Sequence, residues 1–380
     1  MSAGGVDASV AVGAVRLPNP VIAASGTFGY GTEFAGLLDL GALGALAVKG
    51  LSLRPSPGKP APRLVETPGG MLNSIGLQNI GVEAFLGDRL PALRAAGARV
   101  VANFWGDSPE EFAECAARLD GAPGVVALEL NASSPNRPEW GSILATDPQA
   151  LAAIVRAVRA RVRAPLWVKL SPNVGDITRV GRAAEAEGAD ALTAINTLRA
   201  TAIDLEARRP RLAAGSGGLS GPAIKPVALR MVQELARAVR IPVVGIGGIM
   251  TGEDALEFLC CGARAVQVGT ATFYDPRAPL RIAEEMARWC RAHGVGAISD
   301  VIGTLRSLTA SETHAGWRRP AAARRGRVSS APRSLCSPYP SHPGCPIPTG
   351  PRGTSPPSRT YASDSPRSSR ACRRRTSRCT

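Results

Sequence analysis

The chain has 380 residues, eight cysteines and a formal net charge of +15, a balance that at face value suggests nucleic acid or a membrane surface as partner. The charge is local, however: Ser311–Thr380 holds 14 Arg against two acids, Glu312 and Asp364, while the remainder has 31 bases against 28 acids. A nearly neutral body without an apolar run of about 18 residues excludes a basic nucleic-acid-binding domain and a transmembrane span.

No signal peptide or amphipathic leader precedes the first predicted strand. Cys115, Cys260, Cys261 and Cys290 form no CxxC pair. They read as small core residues of a reduced, soluble, cytoplasmic protein.

In chain order, short runs rich in Val, Ile and Ala alternate with longer stretches of helical period, the pattern of parallel βαβ units. Strands are predicted at Pro20–Ser25, Ala45–Gly50, Arg99–Asn103, Val125–Asn131, Pro165–Ser171, Ala189–Asn196, Ile241–Gly247 and Ala263–Gly269. Helices are predicted at Pro109–Leu119, Asp147–Val162, Asp176–Glu187, Ala223–Val239, Gly252–Cys261 and Pro279–His293. Eight strands with their helices predict an α/β fold, a closed (β/α)8 TIM barrel. Leu51–Val82 and Leu198–Gly221 are long Gly-, Pro- and Arg-rich insertions that fall where barrel enzymes carry active-site loops. After Arg306 the alternation stops, so residues 1–306 are expected to form the barrel domain. Residues 307–380 form a basic Arg/Ser/Pro-rich tail, disordered because it has too few aliphatics to bury a core.

The polar residues Ser25, Lys49, Asn103, Asn131, Lys169, Asn196 and Thr197 all stand at or just beyond the C-terminal ends of predicted strands. That edge carries the chemistry of barrel enzymes, and so many polar groups converging on one mouth are costly to bury without a polar ligand. GIGGIM at Gly245–Met250 and VGTA at Val268–Ala271 close the last two strands, where glycines let backbone N–H groups approach a phosphate. The only histidine in the body is His293, at the end of the last predicted helix, which argues against a zinc centre or a Ser-His-Asp triad. No metal site is expected. A polar mouth with a phosphate grip suits a cofactor that brings its own chemistry, and flavin mononucleotide (FMN) meets that description.

Longer motifs give a family resemblance. GTFGYG at Gly26–Gly31, VKGLSLRPSPGKPAPRLVETPGGM at Val48–Met71, NSIGLQNIGVEAF at Asn73–Phe85, LNASSPN at Leu130–Asn136 and NTLRATAIDLEARRPRLAAGSGGLSGPAIKPV at Asn196–Val227 resemble the class 1 dihydroorotate dehydrogenases. The NSIG and NTLR blocks look most like the class 1B catalytic subunit. The resemblance runs from about Val15 to Arg306.

It implies that Ser25, Lys49, Gly50, Asn103, Asn131, Lys169, Ile195, Gly221, Gly247, Gly248, Gly269 and Thr270 surround FMN. It implies that Lys49, Asn73, Ser74, Ile75, Gly76, Leu77, Asn131, Asn196 and Thr197 hold dihydroorotate. The implied activity is flavin-dependent oxidation of (S)-dihydroorotate to orotate in de novo pyrimidine (UMP) biosynthesis. Class 1B similarity further implies a partner subunit carrying FAD and an iron–sulfur cluster that delivers electrons to NAD, and a homodimer or heterotetramer.

The family places its proton-abstracting base in the SxPN motif, where class 1 members have cysteine and this chain has Ser134, as membrane-linked class 2 enzymes do. Ser133 is read as a structural hydroxyl. Trp105, in NFWG at Asn103–Gly106, is expected either to pack beside the flavin or to fill the barrel rim. The tail has no counterpart in the resemblance; it reads as a nucleic-acid-binding arm or, preferably, as out-of-frame translation of a GC-rich gene. Alternative functions are an FMN barrel acting on another dihydropyrimidine, or a non-catalytic barrel that binds a phosphate-bearing ligand.

Overall fold

A computed structural model of the chain describes residues 5–134, 144 and 146–307. The chain divides into two units, Met1–Thr309 and Ala310–Thr380; the second, and with it the predicted tail beyond Ser307, lies outside the described residues.

Eight strands, numbered β1–β8, close a parallel barrel in sequential order: β1 (Val21–Ala23), β2 (Ala45–Ala47), β3 (Val100–Phe104), β4 (Val125–Leu130), β5 (Leu166–Leu170), β6 (Ala191–Ala194), β7 (Val243–Ile246) and β8 (Ala263–Val268). The seam closes where β8 pairs with β1, Val266 opposite Val21. Almost every residue of these strands is buried, because helices cover one face and the barrel interior the other. Hence the strands read as continuous apolar runs rather than alternating ones.

The helix Pro109–Leu119 illustrates how the outer ring forms. Ser108 caps it by accepting the Glu111 N–H, Pro109 starts it where its missing N–H costs nothing, and Phe112, Ala113, Cys115, Ala116 and Leu119 form the buried stripe. Burial drives the Cys115 thiol up to about 12, so this cysteine is an inert packing group. The helices Pro148–Arg159, Ile177–Ala186, Lys225–Ala238, Gly252–Cys260 and Ala278–Ala292 complete the ring, within a few residues of the predicted bounds.

Three features depart from the sequence expectation. Val82–Ala95 is helical, with a π-turn at Phe85–Arg89; Gly87 and Pro91 interrupt its sequence signature, yet Pro91 sits in the first turn of Leu90–Ala95, where it is tolerated. A hairpin of Val10–Val12 and Val15–Leu17 packs by its turn near Asp190, just before β6, and so covers the N-terminal end of the barrel.

The two long insertions are not independent loops. They form one antiparallel sheet in the order Leu198–Ala200, Gly217–Ser220, Gly70–Asn73, Leu64–Thr67, with Gly218 opposite Asn73 and Leu219 opposite Leu72. Val65, Leu72 and Leu212 give this cap its own small core. Among the described residues, no helix is long and apolar enough to cross a membrane.

Candidate active site

The C-terminal ends of the strands and the cap sheet enclose a cavity of about 360 Å3, within the usual range for small-molecule sites. Of the residues expected from the sequence, Ser25, Lys49, Gly50, Asn73, Ile75, Gly76, Leu77, Asn103, Asn131, Ser134, Lys169, Ile195, Asn196, Thr197, Gly221, Gly247, Gly248, Gly269 and Thr270 all line it. Ser74 does not. It is buried behind the wall, its N–H donating to the Arg63 carbonyl at 2.8 Å, because it continues the in-and-out alternation of the strand that ends at Asn73. Pro135 and Asn136 of the SSPN string lie outside the described residues.

The walls follow from strand geometry. Asn103 and Lys169 sit on β3 and β5 themselves, Asn131 directly follows β4, and Ile195 to Thr197 follow β6. A chain of amides crosses the mouth: Asn131 Nδ2 donates to Asn103 Oδ1 at 3.3 Å, Ser133 Oγ to Asn131 Oδ1 at 3.1 Å, and Asn196 Nδ2 to Ser133 Oγ at 2.9 Å. Ser133 is thus engaged in orienting two asparagines, whereas Ser134, 6% exposed, is the serine on the cavity wall.

Trp105 packs in the core rather than on the cavity wall. It abuts Gly50, where an added Cβ would lie 3.3 Å from its Cδ1 and 2.8 Å from Asn103 Oδ1. It fills the barrel rim. Leu64, Met71 and Ile224 line the cavity, as does the half-exposed Phe273; none of them was expected, because an apolar side chain carries no local mark of whether it faces a core or a cavity.

Two lysines, Lys49 and Lys169, line the cavity. Burial pushes the Lys49 amine below the ordinary lysine value, with Arg63 adding to the shift and Glu33 opposing it. Lys169 is more deeply enclosed, and burial lowers it too, against the pull of Glu129.

Glu129 was passed over in the sequence. It is fully buried on β4 and accepts from Asn103 Nδ2 at 2.6 Å, Thr193 Oγ1 at 2.9 Å and Gln267 Nε2 at 2.5 Å, with Lys169 Nζ 4.0 Å away. The available signal was an acid in the otherwise apolar run VVALEL, since a carboxylate is buried only where donors meet it.

After β7 and β8 the backbone N–H groups of Gly248, Ile249 and Thr270 donate to no other group among the described residues. Gly248 has φ +75°, and a Cβ there would lie 2.8 Å from the Lys225 backbone nitrogen and 2.9 Å from the Gly221 carbonyl oxygen. This loop is anchored from behind by Asp254. Its carboxylate accepts from the N–H groups of Met250 and Thr251 at 2.8 and 3.0 Å and pairs with Lys225 Nζ at 2.6 Å.

Burial tends to raise Asp254, but Lys225 and the two N–H groups outweigh it and hold the carboxyl below the ordinary aspartate value. A depressed folded-state value means stabilisation that is present above the unfolded value and lost as pH falls through the folded one. Asp254→Asn, which leaves Lys225 and the two N–H groups facing a neutral partner, is therefore expected to cost about 1–2 kcal/mol at neutral pH. In urea titrations that difference should shrink from about pH 4 downward; a pH-independent difference would contradict the assignment.

Residues 8–289 match the family model for dihydroorotate dehydrogenase. The chain belongs to the dihydroorotate dehydrogenase family. A relative from Trichlorobacter lovleyi is 57% identical over 297 residues, covering 78% of this chain and 98% of the relative. Relatives from Citrifermentans bemidjiense and Geobacter sulfurreducens are each 55% identical over 299 residues, covering 79% of this chain and 98% of each relative. All three are named dihydroorotate dehydrogenase B (NAD(+)), catalytic subunit.

Proposed function

We propose that this chain oxidises (S)-dihydroorotate to orotate, as a step of pyrimidine biosynthesis, with FMN as its cofactor and as the catalytic part of an NAD-linked enzyme. The observation that carries this reading is the convergence of Lys49, Asn73, Asn131, Ser134, Lys169 and Asn196 on a single cavity in a chain of this family. The donor set fits FMN: the N–H groups of Gly248, Ile249 and Thr270 are available to a phosphate. Lys169 and the Asn103 amide, at the cavity floor, suit the polar edge of an isoalloxazine ring.

When bound, the flavin supplies the two-electron acceptor for a hydride leaving substrate carbon-6. The protein does the rest. Asparagine side chains offer both donors and acceptors, as the alternating N–H and C=O groups of the dihydropyrimidine ring require, and the Lys49 ammonium pairs with the substrate carboxylate. Ser134 Oγ takes the proton from carbon-5 as its own hydroxyl proton is relayed away to solvent, so that loss of H+ there and hydride from carbon-6 leaves the carbon-5–carbon-6 double bond.

A partner subunit carrying FAD and an iron–sulfur cluster would pass the electrons on to NAD, in a homodimer or heterotetramer. This chain has no CxxC pair before Ser307 with which to bind such a cluster alone.

Anaerobic mixing of the purified chain with dihydroorotate is expected to bleach its flavin, and addition of the partner subunit with NAD to restore the colour. A flavin that bleaches with another dihydropyrimidine but not with dihydroorotate would assign a different substrate. A chain that cannot be reconstituted with FMN would overturn the reading. Truncation after Arg306 is expected to leave turnover unchanged; loss of activity would give residues 307–380 a part in catalysis.

A further inference from the structure

Glu129 lies one layer beneath the cavity: it does not line the wall, yet it touches two groups that do. Its Oε1 accepts from Asn103 Nδ2 at 2.6 Å and stands 4.0 Å from Lys169 Nζ, and its Oε2 accepts from Thr193 Oγ1 and Gln267 Nε2 at 2.9 and 2.5 Å. Four strands other than its own thus aim a donor or a cation at one fully buried side chain. Three neutral donors are the complement of an ionised, acceptor-only carboxylate.

We propose that Glu129 is a positioning residue that holds the Lys169 ammonium against the cavity floor and aims the Asn103 carboxamide, so that the site favours a ligand that gains negative charge on reduction. The inference rests on the flavin reading above. With Asn103 Nδ2 committed to Glu129, its Oδ1 is turned to Asn131 Nδ2 and the space under Gly50. Lys169 donates to Ser25 Oγ at 3.2 Å and keeps a further N–H for the cavity. Burial works against a cation at Lys169, and the Glu129 carboxylate is the charge that opposes this; removing one partner of a buried pair leaves the other uncompensated. Lys169 without its counter-ion would be a weaker partner for the charge that a flavin acquires with two electrons.

The test is the flavin midpoint potential of the purified FMN-loaded chain, read by anaerobic reductive titration against a reference dye. Glu129→Gln keeps the shape and one acceptor oxygen but removes the charge. It is expected to lower the preference for reduced over oxidised flavin at least tenfold, a fall of about 30 mV for a two-electron couple. Thr193→Val, which removes a neutral donor from the same carboxylate, should change that preference less than about threefold.

An unchanged potential in Glu129→Gln overturns the proposal, and so does an equal fall in Thr193→Val, which would make the effect one of packing. Should Glu129→Gln not fold, Glu129→Asp, whose shorter arm draws the carboxylate away from Lys169, must show a fall in the same direction; an unchanged potential there also overturns it. A wild-type chain that cannot be loaded with FMN would sink the flavin reading and this inference together, whereas a loaded chain indifferent to Glu129 would sink this inference alone.

Discussion

Ser134→Ala is expected to keep its flavin and to reduce it with dihydroorotate about 10²–10⁴-fold more slowly, the usual contribution of a positioned general base. The expectation follows from a division of labour between adjacent serines. Ser133 spends its hydroxyl within the Asn131–Asn196 network, while Ser134 lines the cavity. Stopped-flow mixing without oxygen isolates the reductive half-reaction from the acceptor, so partner-subunit effects do not enter. If the variant bleaches as fast as the wild type, another group takes the carbon-5 proton.

A serine hydroxyl holds its proton far more tightly than a cysteine thiol does. The Ser134 step therefore needs an acceptor for the hydroxyl proton as substrate is deprotonated, and reduction by carbon-5-deuterated substrate should be slowed in the wild type.

The second large effect is expected at Gly248. Valine there would meet a left-handed backbone, φ +75°, that a β-branched residue adopts only under strain. Its Cβ would also lie 2.8 Å from the backbone nitrogen of Lys225 and 2.9 Å from the carbonyl oxygen of Gly221. Neither neighbour is the free end of a side chain, so the β7 loop itself must move, and with it the N–H groups offered to the phosphate.

Strain of about 1–3 kcal/mol corresponds to FMN binding weaker by roughly 5- to 150-fold. The visible flavin absorbance per purified chain and the FMN dissociation constant both report it. A Gly248→Val protein that purifies with full flavin content would remove this loop from the phosphate site. The buried core beneath should be untouched, so the far-ultraviolet circular dichroism is expected to match the wild type.

Much of the architecture was legible because it is written locally. The eight barrel strands are short apolar runs separated by helical periods, and both faces of each are covered, so the pattern survives without knowledge of any partner. Lys49, Asn103, Asn131 and Lys169 stood out as polar residues at the ends of such runs, and the GIGGIM and VGTA turns stood out by their glycines. Chain order alone brings these to one rim, since every strand of a parallel barrel ends at the same edge.

The tertiary structure decided what depends on distant residues. Each insertion closes a hairpin of its own, Leu64–Thr67 with Gly70–Asn73 and Leu198–Ala200 with Gly217–Ser220, but the two become one cap sheet only because Asn73 meets Gly218, 145 residues later. Ser74 and its neighbours Asn73 and Ile75 belong to one motif, and only backbone alternation places the first behind the wall and the others on it. Glu129 looked like a stray acid in an apolar strand because its partners Asn103, Thr193 and Gln267 lie 26, 64 and 138 residues away. Sequence periodicity reports which face of an element is buried, but a buried charge is explained only by the donors that surround it, and closing the barrel is what brings them together.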